Sequence, residues 1–285
     1  MDRETDDAGH LPARRAEAES DVAVVYLARG YDADHQARFR AFAASYRAHP
    51  AGCGHRLYVI FKGFPDAASR VAAARSFDGL AFTAIDTDDL RFDIGAYIDA
   101  LPSLSEEVVC FLNTNAEIAS PHWLAKLARN LVQPGVGMVS ATGSYESLHY
   151  INPTFPAFPN PHLRSNAFAM RRDRAAEILG SYTIAGKLDT FQIESGADGL
   201  TRRVLAQGLT CLIVGADGRG YPPQHWAESE TFRQGEQANL LVHDNQTRAF
   251  ARMNAAERSV LIAKTWAVAR EPSILPEPAP AGVQP

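Results

Sequence analysis

The chain has 285 residues, 46% of them hydrophobic and 21% charged, with a net charge of −5 at pH 7. That length holds one large α/β domain or two small ones, and the balance excludes a disordered or fibrous chain. The negative charge argues against a nucleic-acid binder, and three scattered cysteines without a CxxC pair argue against a secreted disulfide scaffold.

Residues 1–20 are polar without apolar periodicity, which predicts a disordered tail, and they lack the apolar run of a secretory signal. VAVVYLA (22–28) reads as a buried strand, and 35–49 as a helix with Phe39, Phe42, Ala43 and Tyr46 at helical spacing. RLYVIFKGF (56–64) is the second strand, and 66–77 a helix with Asp66 as its cap. LAFTAID (80–86) is the third strand, with a short helix at 93–101. The fourth strand precedes a helix whose Leu124, Leu127 and Leu131 share a face, and 136–143 is the fifth strand. This order implies an α/β fold with a mostly parallel sheet and helices on both faces.

The second half is less regular. Four prolines in NPTFPAFPNPHL (152–163) predict an irregular loop, long enough for a lid or an acceptor-site wall. SNAFAMRR (165–172) and LTCLIVGA (209–216) read as strands, and 199–206 as a helix. A last helix at 255–269 is expected to pack its Val260, Leu261 and Trp266 face. It carries only Arg258, Lys264 and Arg270 as positive charge, which favours packing over a membrane surface. The proline-rich 271–285 predicts a second disordered tail, leaving one domain at 21–270. No apolar run approaches the roughly 18 residues of a membrane span. A cytoplasmic location is therefore expected, with peripheral association at the inner membrane face left open.

The most informative stretch is VVCFLNTNAEIASPHWL (108–124). An apolar run ends at Asn113, Thr114 and Asn115, followed by Ser120-Pro121, a serine that can cap a helix and a proline that suits its first position. A buried parallel strand has that run, and open α/β sheets bind ligands at the carboxyl ends of such strands.

Four segments carry a resemblance. They are VAVVYLARG at the start, RFDIGAYIDAL (91–101), FLNTNAEI (111–118) and DTFQIESGADGLTRRV (189–204), with QANLLVHDNQTRAF (237–250) toward the end. Together, over about 22–253, they resemble GT-A glycosyltransferases that use nucleotide sugars, closest to bacterial polysaccharide-assembly enzymes of the rhamnan-synthesis type. The resemblance implies a GT-A-like Rossmann-type sheet, a nucleotide-sugar donor, a glycan or lipid-linked acceptor, and hexosyl or deoxyhexosyl transfer in cell-surface polysaccharide synthesis. It assigns donor binding to Arg29, Asp93, Gly95, Asn113, Asn115 and Arg248, and the acceptor base to Glu194 or Asp198. Asn115 and His243 are its candidate metal ligands. The family's Asp-x-Asp element reads Asn-Thr-Asn here, and hard divalent cations want charged oxygens. No cofactor is therefore certain, and Mn²⁺ or Mg²⁺ stays open. Either Arg248 or Arg233 can then meet the diphosphate charge.

Each residue has a plainer alternative. Asp93 can be a helix cap, with Gly95 allowing close backbone approach; Arg29 can be a solvated arginine; Asn113 and Asn115 can be turn residues. Glu117 can supply the missing charge or be a loop acid. Glu194 and Asp198, four apart, would share a face if both lie on one helix, where an acid can also be a dipole partner. A lone His243 can be structural, and Tyr221 and Trp226 can stack on sugar or pack in a core. Two other functions compete. A nucleotidyltransferase would show a glycine-rich basic loop after the first strand, where LARGYDADHQ offers one glycine. A non-catalytic nucleotide-sugar binder would fit Asn-Thr-Asn, but not the joint retention of Asp93, Glu194 and Asp198.

Overall fold

The computed structural model describes residues 21–266. The two predicted tails and the last residues of the final predicted helix lie outside that range. Strands are β1 (Val22–Arg29), β2 (Arg56–Lys62), β3 (Thr83–Asp86), β4 (Val108–Leu112), β5 (Glu117–Ile118), β6 (Val136–Ser140), β7 (Gly143–Ser144), β8 (His162–Leu163), β9 (Ala167–Arg171), β10 (Thr210–Val214), β11 (Gly220–Tyr221) and β12 (Val242–His243). Helices are α1 (His35–Ala48), α2 (Ala67–Ala74), α3 (Phe92–Ala100), α4 (Trp123–Leu131), α5 (Arg172–Gly180), α6 (Lys187–Ser195), α7 (Leu200–Ala206), α8 (Asn245–Arg252) and α9 (Ala255–Trp266).

Eight strands form one sheet in the order β11-β10-β6-β9-β4-β1-β2-β3. Neighbours β1, β2, β3 and β4 run parallel, as do β6 and β10. The fold is α/β with a mostly parallel sheet. Side chains along β1 alternate between two cores, as strand geometry requires. Ala23, Val25 and Leu27 pack with α3, α5, α6 and α7, while Val24, Tyr26 and Ala28 pack with α1, α2 and α4. Helices therefore cover both faces. On the α1 side, the Tyr26 ring stacks on Phe42 at 3.7 Å, and its hydroxyl donates to the Thr114 carbonyl at 2.9 Å. That bond fixes the loop after β4 to the middle of β1.

Two strands depart from parallel order, β11 at one end and β9 within the sheet, and β9 matters for the site. β9 lies between β4 and β6 and runs antiparallel to both. Its first residues therefore meet the carboxyl ends of its neighbours, Ala167 beside Leu112 and Phe168 beside Ser140. The residues just before it, Ser165 and Asn166, emerge on the ligand-binding edge, which a parallel strand would reach only at its far end.

Several local expectations change. Asp66 does cap α2, accepting from the Ser69 amide at 2.7 Å. Ser120 caps nothing: Glu117–Ile118 pairs with Val242–His243 instead, and α4 starts at Trp123 after a left-handed His122. Ser120 Oγ accepts from Lys126 Nζ at 2.9 Å. On α9, Trp266 is buried and donates to the Phe232 carbonyl at 2.7 Å, but Val260 faces outward. Tyr221 and Trp226 are core residues, with Trp226 Nε1 donating to the Tyr221 carbonyl. They offer no ring for sugar stacking.

Candidate functional site

β1 and β2 end in cations that share one acid. Arg29 Nη2 lies 3.1 Å from Asp89 Oδ2, and Lys62 Nζ lies 3.0 Å from Asp89 Oδ1. Arg29 is thus a paired residue rather than a solvated one, and the Lys62 side chain is fully buried. Burial alone would raise the Asp89 carboxyl, but Arg29 and Lys62 together hold it below its usual value. One carboxylate therefore bridges two cations, and further acids, Asp86 and Asp88, stand on the same edge. A cavity of about 590 Å³ opens over Lys62, Gly63, Thr87, Asp88 and Asp89.

Asp93 stands next to this cluster, in the first turn of α3. Its carboxylate is not the cap, because the N-cap residue is Arg91 and no side chain caps that end. Burial raises the Asp93 pKa against the pull of Lys62 and Arg29. Among the described residues no hydrogen bond reaches this carboxylate. The preceding Phe92 has φ of 54°, a left-handed conformation unfavourable for a bulky side chain. Lys62 Nζ donates to the Phe92 carbonyl, so the buried lysine holds the strained turn that presents Asp93. Gly95 serves packing: a Cβ there would fall 2.1 Å from Arg91 Cβ, which is its own helix start and not a ligand.

At the end of β4, Asn113 and Asn115 form a turn, their plainer alternative, with Asn113 Oδ1 accepting from the Asn115 amide at 3.0 Å. Three buried polar atoms on this edge find no partner: Thr114 Oγ1, Asn115 Oδ1 and Asn166 Nδ2. Buried polar groups are rarely left so. The β12–β5 pairing sets His243 opposite Glu117. Arg248, on α8, donates to the Asn115 carbonyl at 3.1 Å and lies 2.8 Å from Glu117 Oε1. Burial and the adjacent Arg248 lower the His243 pKa. The strap that carries these residues is anchored from within, because Asp244 caps α8 and Arg164 Nη2 lies 2.7 Å from Asp244 Oδ2 with both side chains buried.

The acids at 194 and 198 part company. α6 ends at Ser195, and Gly196 is extended, so the chain leaves the helix before Asp198. They do not share a helical face. Asp198 is exposed and bound by Arg203, which lowers its carboxyl pKa. Glu194 instead lines a cavity of about 800 Å³ with Glu146, Tyr150, Phe158, Phe191 and Arg233. Its Oε2 accepts from the Ser165 amide at 2.8 Å and from the Ser165 hydroxyl. Asn166, the next residue, accepts from the Asn113 amide at 2.9 Å. Ser165 and Asn166 therefore link the acid in the cavity to the turn after β4. Arg233 belongs to this cavity, held by Glu146 at 2.6 Å, rather than to the β4 edge where Arg248 sits.

The residues at the β4 edge do not fit a resident divalent cation. Asn115 Oδ1 is buried and unpartnered, but the nearby carboxylate of Glu117 is already neutralised by Arg248. Among the described residues no group of three or more His, Cys, Asp or Glu could hold a metal. A tight Mg²⁺ or Mn²⁺ site wants several charged oxygens, and here a guanidinium stands against the one acid. The Asn115–His243 pairing is therefore a poor metal site for a reason of charge.

Sequence reasoning missed Lys62, Ser165 and Asn166. A lysine closing an otherwise apolar strand was the available signal for Lys62. Nothing in the sequence marked Ser165 and Asn166, because their importance depends on the reversed direction of β9.

No family model matches the chain, and no curated protein matches it in sequence. It is similar to a solved mannosyltransferase from Pyrobaculum calidifontis in complex with GDP-Man and Mn²⁺, at 17% identity over 67% of this chain and 53% of that one, TM-score 0.47. It is also similar to glucosyl-3-phosphoglycerate synthase from Mycobacterium tuberculosis in complex with Mg²⁺ and UDP, at 16% identity over 55% and 58%, TM-score 0.37. A third is a CMP:2-keto-3-deoxy-manno-octonic acid synthetase complexed with CTP, at 13% over 67% and 88%, TM-score 0.40. The chain spans about half the length of the mannosyltransferase. Among the described residues no helix is long and apolar enough to cross a membrane.

Proposed function

We propose that this chain is a glycosyltransferase that moves a hexosyl or deoxyhexosyl group from a nucleotide-sugar donor to a saccharide or lipid-linked acceptor, in cell-surface polysaccharide synthesis. The observation that carries the reading is the Glu194–Ser165–Asn166–Asn113 linkage. It joins an acid in a large cavity to the carboxyl edge of a parallel sheet, where nucleotides bind in such folds.

In this reading Asp93 accepts hydrogen bonds from the donor's base or ribose, and Lys62 and Arg29 attract its phosphates. Asn113, Asn115 and Asn166 offer the polar atoms that face the donor sugar. The acceptor oxygen attacks the anomeric carbon as the bond from that carbon to the diphosphate oxygen breaks. Glu194 takes the acceptor's hydroxyl proton, and Arg248 meets the charge left on the diphosphate. Asp198 has no part, being outside the cavity and occupied by Arg203. The nucleotidyltransferase alternative gains no support at Gly30, whose lack of a side chain admits the Phe64 ring, 2.3 Å from where a Cβ would be.

A panel of nucleotide sugars in a thermal-shift assay tests the reading. A true donor at 100 times its Kd should stabilise the protein by about 2.7 kcal/mol, and Asp93→Ala should abolish the shift. No shift from any nucleotide sugar would overturn it.

A further inference from the structure

α1 packs against the turn that follows α2, with the Phe39 and Phe77 ring centroids 5.7 Å apart. Beside this contact lies a cavity of about 440 Å³, lined by Gln36, Arg40 and Arg47 from α1 and by Arg75, Ser76 and Asp78 from the turn. Gln36, Arg40 and Arg47 follow one another at intervals of four and seven positions, which sets them on one face of the helix. The charged lining is three guanidiniums against the single carboxylate of Asp78.

Other arginines on the same two helices are neutralised. Arg38 pairs with Asp32 and Asp34, each at 2.9 Å, and Arg70 pairs with Asp86 at 2.7 Å. The three that line the cavity make no ion pair among the described residues. Arg47 takes main-chain oxygens instead, donating to the Asp78 carbonyl and, at 3.4 Å, to the Ala43 carbonyl. Those carbonyls position its guanidinium and leave its charge unmatched. A cation at a helix C-terminus is a routine dipole partner, which accounts for Arg47 and Arg75 singly. It does not account for Arg40, in the middle of α1, or for all three meeting at one cavity.

The lining also limits the ligand. Ala72 is its one apolar side chain, so the cavity has little to gain from burying hydrocarbon. A guanidinium presents a planar fork of N–H groups that matches the oxygens of phosphate, and Gln36 and Ser76 add neutral donors. We infer that the Arg40–Arg47–Arg75 cavity is a binding site for a phosphate-bearing anion, separate from the sheet edge. The cavity over Lys62 takes Ala67, Arg70 and Val71 from α2 and shares no lining residue with this one. The anion site stands whether or not the chain is a transferase.

The test has two arms, each comparing the full chain with its Arg40→Gln/Arg75→Gln variant. In the first, pyrophosphate is titrated at low salt and followed by calorimetry. The variant should bind it at least about tenfold more weakly, the loss expected when charge-assisted hydrogen bonds are removed. Both positions are exposed, so the melting temperature and any nucleotide-sugar shift should stay those of the wild type. Arg40→Lys/Arg75→Lys should recover only part of the affinity, since charge returns without the fork. In the second arm, the protein is sedimented with phosphatidylcholine vesicles, with and without phosphatidylglycerol. Pyrophosphate affinity lost in the glutamine variant assigns the site to a free phosphate compound, and vesicle retention lost in it assigns the site to a lipid headgroup. If the variant changes neither, the inference is overturned, and any pyrophosphate binding belongs to the Lys62 edge. Loss of pyrophosphate in the variant, with no thermal shift from any nucleotide sugar, would keep this site and remove the transferase reading.

Discussion

Arg248 Nη1 donates to the main-chain carbonyl of Asn115 at 3.1 Å, across 133 positions of sequence. A cation from the end of the fold thus sits against the turn after β4. The same guanidinium neutralises Glu117. Activity should therefore survive chelation, and Arg248→Ala should lower kcat by roughly 10²–10³, the usual loss when a preorganised charge partner for the transition state is removed. Arg248→Lys should restore only part, since an ammonium lacks the planar fork. Chelator titration during turnover is the measurement. Complete loss with chelator, reversed by Mn²⁺ and abolished in His243→Ala, would show that a metal acts there after all.

Asp93 gives a prediction with opposite signs for binding and stability. Its carboxyl is raised by burial, so the folded state holds this proton more tightly than the unfolded chain does. The ionised form is then a cost to stability above the raised pKa, and that cost disappears as pH falls through it. Asp93→Asn should stabilise the fold at neutral pH by about 0.5–2 kcal/mol, the range usual when an unfavourable functional group is removed. The same variant should lose nucleotide affinity. In the wild type, nucleotide affinity should begin to fall on acidification at a pH above the ordinary aspartate range. Urea denaturation and nucleotide titration across pH check both signs.

Glu194 and Asp198 separate in kinetics as they do in space. Glu194→Gln should lower kcat by about 10²–10⁴, the range for a general base, with little change in donor affinity. Ser165→Ala removes one of the two hydrogen bonds that orient this acid and should cost less. Asp198→Asn should leave turnover near wild type, because the side chain is exposed and its partner is Arg203. Equal losses at both acids would restore the sequence expectation.

The strap carrying His243 and Arg248 depends on the buried Arg164–Asp244 pair. Asp244→Ala leaves Arg164 as an unpaired buried charge, which costs about 3–5 kcal/mol. Burial alone would raise the Asp244 carboxyl, but Arg164 and the Thr247 amide hold it below its usual value. Its contribution to stability is therefore full above the unfolded aspartate range and is lost as pH falls through the depressed folded value. Chemical denaturation of wild type and variant, repeated at acid pH, should show the gap narrowing on acidification.

Strand and helix order were readable because burial imposes period. The run Val108–Leu112 read as a strand covered on both faces, and the spacing of Phe39, Phe42 and Ala43 as one helix face, and both hold. Asp66 was readable as a cap because capping is a local bond. Asp93 was readable at a helix start, but its surroundings were not: only the folded chain shows that Arg91 takes the cap position and Lys62 holds the Phe92 turn.

What the sequence alone determined was the alternation of elements, the chemistry of the β4 edge and the absence of paired aspartates there. The tertiary structure decided direction and partnership. Local periodicity is the same for a strand run either way, so nothing in SNAFAMRR announced that β9 would enter antiparallel and bring Ser165 and Asn166 to the edge. Nor could spacing show that Gly196 would break the helix between Glu194 and Asp198. Arg248 met Asn115 for the same reason, since a contact across that much chain is set by the closure of the sheet and its strap rather than by neighbouring residues.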